Sequence, residues 1–155
     1  MGNKRLTILQ INDTHDYLEE HQEMFWDAGG IRHAKVGGYA KISGYFKKVR
    51  EEAGADAVIA LDNGDTLHGT FPAVHSEGEA VIEPLNYLKF DAWTIHWDVA
   101  YGPDKLKELA GKLDYPLLAA NDYHKESGER AFQPSMVLER GDVKVGVIGI
   151  AAYYY

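Results

Sequence analysis

Leu61-Asp62-Asn63-Gly64-Asp65-Thr66-Leu67-His68-Gly69-Thr70 is the stretch on which the fold turns, read together with Asp13-Thr14-His15 upstream. Each polar group follows a hydrophobic run: Leu6-Thr7-Ile8-Leu9-Gln10-Ile11 before the first, Ala57-Val58-Ile59-Ala60-Leu61 before the second. Both runs predict buried strands. In an α/β sheet, polar residues at the carboxyl ends of adjacent strands share one crevice. Two aspartates and a histidine converging there are hard oxygen ligands plus an imidazole. Such a set suits a divalent metal such as Mn²⁺, Zn²⁺ or Fe²⁺. Gly64 permits a backbone path that a side chain would block. Asp65 has two oxygens and so the means to bridge two cations, as in centres where paired ions clamp an in-line displacement.

The rest of the chain supplies the frame. A helix is expected from Gly38 to Gly54, with Tyr39, Ile42, Phe46, Val49 and Ala53 on its apolar stripe. A second covers 78–89, where Pro84 sets its start or kinks it. A third opens at Pro103 and buries Leu106, Leu109, Ala110 and Leu113. Strands are expected at 5–12, 56–61, 90–95 and 115–120, followed by a hairpin from Met136 to Arg140 and Val143 to Ile150. Residues 17–37 show no periodicity and read as a long loop, with Phe25 and Trp26 isolated among polar neighbours. Alternation of strands and helices predicts an α/β domain with a largely parallel sheet. The apolar run at 143–150 reads as a core strand, its glycines marking close backbone packing. The chain then ends in Tyr153-Tyr154-Tyr155, read as packing or a chain terminus, so residues 1–155 look like the first portion of a domain, cut midway.

Composition narrows the function. The 155 residues carry 16 Lys and Arg against 24 Asp and Glu, a net charge of −8, which argues against a nucleic-acid polymer as partner. Metal ions would have to reverse that sign locally to hold a phosphate. There are no cysteines, which removes thiolate zinc sites and thiol nucleophiles. No apolar run is long enough to span a membrane, and none resembles a signal-peptide core before the first strand. The expectation is a cytoplasmic protein without membrane partners.

Several motifs carry a resemblance. Ile11-Asn12-Asp13-Thr14-His15, Gly37-Gly38-Tyr39-Ala40-Lys41-Ile42, Gly64-Asp65-Thr66-Leu67-His68-Gly69-Thr70, Leu85-Asn86-Tyr87-Leu88 and Ala119-Ala120-Asn121 resemble the N-terminal part of the 5′-nucleotidase branch of calcineurin-like metallophosphoesterases. The resemblance implies part of a four-layer α-β-β-α sandwich with two metals at the strand ends. It implies Asp13 and His15 as ligands of one metal and Asp65 as the bridging carboxylate. The family follows with Gly-Asn-His-Glu, whereas this chain has Ile95-His96-Trp97-Asp98 and one residue fewer before Tyr101-Gly102. That alignment puts His96 at a metal-ligand position normally held by Asn. It puts Trp97 where the family has a proton-donating His, and an indole is no general acid. A His-Trp-acid sequence is similar to the branch containing sulfur-oxidation thiosulfohydrolases.

The resemblance therefore implies hydrolysis of a small-molecule phosphate ester or nucleotide by a dinuclear Mn, Zn or Fe centre and metal-bound hydroxide. No catalytic residue beyond the ligands is assigned. The family's later His and Gly-His-x-His ligands have no counterpart here, so weak or no metal binding is expected of this chain alone. The alternative is a truncated noncatalytic fragment that folds by self-association through an exposed sheet edge, as a homo-oligomer. Of the other histidines, His21, His33 and His75 read as solvated. His68 reads equally as lining the site or as packing, and His124 as a residue following a strand end near the crevice.

Overall fold

The computed structural model describes residues 4–152; the tyrosine tail and residues 1–3 lie outside that range. Three parallel strands make the central sheet, in the order β1 (Thr7–Ile11), β4 (Val58–Asp62), β5 (Ala92–Trp93). Leu9 pairs with Ala60, Ile11 with Asp62, and Asp62 with Trp93. All three strands therefore end on the same side, where the polar motifs begin. β4 lies in the middle, and Val58, Ile59 and Ala60 are buried, as a strand covered on both faces requires.

Helix α1 (Tyr39–Ala53) matches its expected span. Tyr39 and Phe46 are buried, Ile42 and Val49 pack against the core, and Ala53 is exposed. Phe46 meets Phe90 edge-on at 5.7 Å, and Phe90 meets Tyr115 at 5.4 Å. α3 (Glu79–Leu88) buries Val81, Ile82, Leu85 and Leu88 and runs through Pro84. Arg50 of α1 donates to the carbonyls of Leu88 (3.1 Å) and Lys89 (2.7 Å), which lie at the end of α3. Cations belong at that end, where helix carbonyls lack partners. α4 (Pro103–Ala110) starts at its proline and buries Leu106 and Leu109. No helix of the described residues is long and apolar enough to cross a membrane.

Four expectations need correction. Residues 17–37 are no loop: β2 (Glu20–Asp27) and β3 (Gly30–Gly37) form an eight-pair antiparallel hairpin. Neither strand contains a fully buried residue, so no apolar alternation marked it. Its stability comes from the ladder, from Arg32 stacked over its direct partner Phe25 at 4.4 Å, and from Asp27, whose carboxylate accepts from the Gly29 amide in the turn. The strands expected at 90–95 and 115–120 shrink to Ala92–Trp93 and to single bridges at Leu117 and Leu118. Pro116 has no amide hydrogen to donate to a ladder. A short helix, α2 (Phe71–His75), follows the Gly-Asp block and was not expected.

The last correction concerns the end of the chain. β6 (Ser135–Arg140) and β7 (Val143–Ile148) pair with each other, and β7 alternates half-buried and exposed positions. It is one-sided, not a strand buried on both faces. Of its glycines, Gly146 faces open space. Gly149 just beyond is packed so closely that a Cβ would overlap the Leu118 carbonyl. Arg140 fastens this hairpin to the sheet by donating to the Val58 carbonyl at 2.8 Å and pairing with Asp91.

Candidate functional site

The site is a set of tight loops sewn together by backbone hydrogen bonds. Asp13, His15, Asp16 and Asp65 all have positive φ, between 48° and 61°. Each such non-glycine residue costs on the order of 1–3 kcal/mol and persists only where its surroundings fix it, and such strain concentrates at functional sites. Here the surroundings do fix it. The Asp13 amide donates to the Gly64 carbonyl and the His15 amide to the Asp65 carbonyl, both at 2.9 Å. Gly64 has φ +86°, and a Cβ there would lie 2.6 Å from the Thr94 carbonyl oxygen and 2.7 Å from the His96 amide nitrogen. The loop after β5 is pressed directly onto the Gly-Asp turn.

Asp98 is the clamp, a residue the sequence reading left without a role. Its Oδ2 accepts from the amides of Asp65 (2.8 Å) and His96 (3.0 Å). Its Oδ1 accepts from those of Thr66 and Leu67, both at 2.8 Å. One buried carboxylate thus holds the two loops that carry Asp65 and His96. Asp16 does a similar job for the first loop, accepting from the Thr70 hydroxyl at 2.6 Å; burial raises its pKa despite that bond. The only sequence signal for these roles was an acid shortly after a strand end.

The expected residues come together. Asp65, 5% exposed, lies among three imidazoles. Its Oδ2 is 2.7 Å from His96 Nδ1 and 3.5 Å from His15 Nε2; its Oδ1 is 2.5 Å from His68 Nε2. Asp13 sits at the exposed rim with Oδ1 4.0 Å from His15 Nε2. Burial works to raise the Asp65 pKa, but the His96 hydrogen bond and the imidazoles of His15 and His68 outweigh it and hold the carboxyl below its ordinary value. Two groups of donor atoms have a metal's dimensions: His15, Asp65 and His68, and Asp13, Asp65 and His96, each with ligand atoms within 4.8 Å of one another. Asp65 belongs to both. Asp65 Oδ1 and His68 Nε2 are shielded from solvent yet form no aligned hydrogen bond. Buried donors converging in this way fit a cation.

The surroundings divide into two cavities. One, of about 490 Å³, places His124, Lys107 and Asn121 opposite His96. The other, of about 420 Å³, joins Asp13 and His15 to the β2–β3 hairpin through Tyr17 and His21. His21 is not the solvated loop residue expected: its ring lies tilted against that of Tyr17, centroids 4.4 Å apart, with its Nδ1 buried. His33 and His75 are exposed. Trp97 is half-exposed, its ring edge-on to His96 at 6.4 Å.

Behind the turn, Asp62 is 2% exposed at the end of β4. It accepts from the Gly64 amide (3.0 Å) and the Thr66 hydroxyl (2.9 Å). Burial, aided by the charge of Asp98, overrides those bonds and pushes its pKa up from 3.8 to about 7. A folded-state pKa raised above the unfolded one gives stability that is fully present below the unfolded value and lost as pH rises through the folded value. Asp62→Asn cannot titrate, and its amide oxygen still accepts both bonds. The melting temperature of the unaltered chain, minus that of the variant, is therefore expected to fall between pH 4 and pH 8. Thermal melts across that range check it, and a pH-independent difference would contradict the assignment.

No family model matches the chain. It is 32% identical over 152 residues to a "Probable 5′-nucleotidase" of Treponema pallidum, covering 96% of this chain and 25% of that protein. It is 33% identical over 159 residues to the human 5′-nucleotidase, covering 96% and 26%. The chain thus spans about a quarter of the length of the curated relatives it matches. Among solved structures, the NAD nucleotidase of Haemophilus influenzae superimposes with a TM-score of 0.81 at 26% identity, over 94% of this chain and 26% of that one. The calcineurin-like phosphoesterase YfkN of Bacillus subtilis gives 0.71 at 26% identity, over 94% and 48%. The Thermus thermophilus sulfate thiohydrolase SoxB gives 0.84 at 18% identity, over 97% and 36%, a likeness of fold alone. The chain resembles, along nearly its whole length, the N-terminal part of 5′-nucleotidases, and its α/β fold is the corresponding part of the calcineurin-like metallophosphoesterase fold.

Proposed function

We propose that this chain carries part of the centre of a metal-dependent phosphate-ester hydrolase acting on nucleotides, with two divalent cations sharing Asp65. The observation that carries the reading is the membership of one buried carboxylate in two separate ligand triads. The similarity to 5′-nucleotidases supports nucleotides as the substrate class. When bound, such cations polarise a phosphoryl oxygen and make coordinated water acidic. The chain's own residues do the holding. Asp98 fixes the backbone at Asp65 and His96 through their amides, so the donors need little rearrangement to receive charge. Asp13 and His15 close the opposite side of the crevice. Lys107 and His124 line the cavity next to His96, where an anionic ester would meet them. The Trp97 indole N–H is too weak an acid to protonate a departing alkoxide.

The test is cation and product binding by the 155-residue chain. Calorimetry with Mn²⁺ or Zn²⁺ is expected to show weak uptake that rises to two ions per chain at high ion concentration, and AMP or inorganic phosphate to bind only when the ions are present. Absence of cation uptake would overturn the reading in favour of a noncatalytic fragment. Binding of AMP that ignores the ions would overturn it as well.

A further inference from the structure

His68 is the side chain at the crevice to which the motif resemblance gives no role, and the geometry around it is specific. It lies three residues after Asp65, and its Nε2 is 2.5 Å from Asp65 Oδ1. That is hydrogen-bond distance, yet the two atoms are not aligned for a hydrogen bond, and neither has another hydrogen-bond partner among the described residues. Both are cut off from solvent. A buried donor–acceptor pair this close normally aligns, because an unmet polar atom in the interior costs on the order of 1–3 kcal/mol. The donor atoms of His15, Asp65 and His68 lie within 4.8 Å of one another, the spacing that a shared cation would require.

The backbone leaves His68 little freedom to do otherwise. The amides of Thr66 and Leu67, just before it, are both fixed on Asp98 Oδ1. Gly69, just after it, has φ +124°, and a Cβ there would lie 2.6 Å from the His15 carbonyl oxygen. The His68 segment is thus laid against the loop carrying His15. The two rings meet edge-on with centroids 5.1 Å apart. Neither ring stacks flat on the other, so the contact leaves the ring nitrogens free to converge on Asp65.

We propose that His68 Nε2 is a protein ligand of the cation held by His15 and Asp65, giving that position two imidazoles and one carboxylate. The inference rests on the dinuclear reading above and adds His68 to its ligands. Three protein ligands and an open position are the complement of a catalytic zinc. Imidazole favours Zn²⁺, Co²⁺ and Fe²⁺, whereas carboxylate-rich sites suit Mg²⁺ and Mn²⁺. The position containing His68 is therefore the one that selects the borderline-soft ion.

The experiment is long-range ¹H–¹⁵N NMR of the histidine rings in the 155-residue chain, titrated with Zn²⁺. His15, His68 and His96 ring nitrogens are expected to move to metal-bound shifts, while those of the exposed His33 and His75 stay in place. Co²⁺ and Mn²⁺ titrations of His68→Ala and of the bulkier His68→Gln form the second arm. Co²⁺ affinity is expected to drop by at least the roughly 10–100-fold that loss of an outer-shell partner causes, and Mn²⁺ affinity to drop less. A His68 ring that does not respond at Zn²⁺ saturation would overturn the proposal. So would a His68→Ala chain, shown folded by circular dichroism, that keeps its Co²⁺ affinity and visible spectrum. If binding in those cases is still abolished by Asp65→Asn, the dinuclear reading survives without His68. If the unaltered chain binds no cation, both fall.

Discussion

Asp98→Asn is expected to lower the stability of the chain by about 3–5 kcal/mol, and its melting temperature by about 6–20 °C. The size of the effect follows from what Asp98 replaces. Four backbone amides, those of Asp65, Thr66, Leu67 and His96, end on its two oxygens. A hydrogen bond to a charged group contributes about 1.5–3 kcal/mol net, and four on one buried carboxylate are not additive. Asparagine keeps one oxygen and turns the other into an amide donor. Each oxygen serves two amides, so either rotamer sets donor against two donors in a buried pocket. The loops released are those held in left-handed backbone, so the strain at Asp65 also loses its constraint. Thermal melts beside Asp104→Asn, an exposed first-turn residue of α4, check it. A melting temperature within about 2 °C of the unaltered chain would show that the amides are satisfied without Asp98.

The legibility of this molecule in its sequence follows burial. α1 could be placed within a residue because Tyr39 and Phe46 fall on one face and glycines bracket it. β4 could be placed because a strand buried on both faces is an apolar run. The β2–β3 hairpin was invisible for the opposite reason. It buries no residue completely, and its register is set by a ladder and by pairs such as Phe25–Arg32, which leave no periodicity. The convergence of Asp13, Asp65 and His96 followed from strand ends in a parallel sheet. The roles of Asp98 and Asp62 did not. Both act on backbone amides across turns, and an acid near a strand end looks the same whether it faces solvent or a neighbouring loop. His68 stood ambiguous because its direction depends on the Gly69 contact with His15, a tertiary fact.

Asp65→Asn is expected to reduce the affinity for both cations by more than the roughly 10–100-fold that loss of an outer-shell partner costs, while leaving the fold intact. Asp65 is the one residue common to both ligand triads, so a single neutralisation reaches both positions. The fold should tolerate the change for two reasons. The backbone at residue 65 is held by its own amide on Asp98 and by its carbonyl, which accepts from His15; neither bond uses the side chain. Asparagine also accepts the left-handed conformation, φ +61° here, more readily than most residues. What the variant lacks is the negative charge among His15, His68 and His96. The carboxyl is held below its ordinary pKa and is ionised at neutral pH, so the substitution removes a full charge and one oxygen ligand. Calorimetry with Zn²⁺ and Mn²⁺ at pH 7, with far-ultraviolet circular dichroism on the same samples, reads both halves. In any longer form of the protein that hydrolyses nucleotides, the same change is expected to remove nearly all turnover. A folded Asp65→Asn chain that still takes up two ions with unchanged affinity would rule out the bridging role, and with it the dinuclear centre proposed for this crevice.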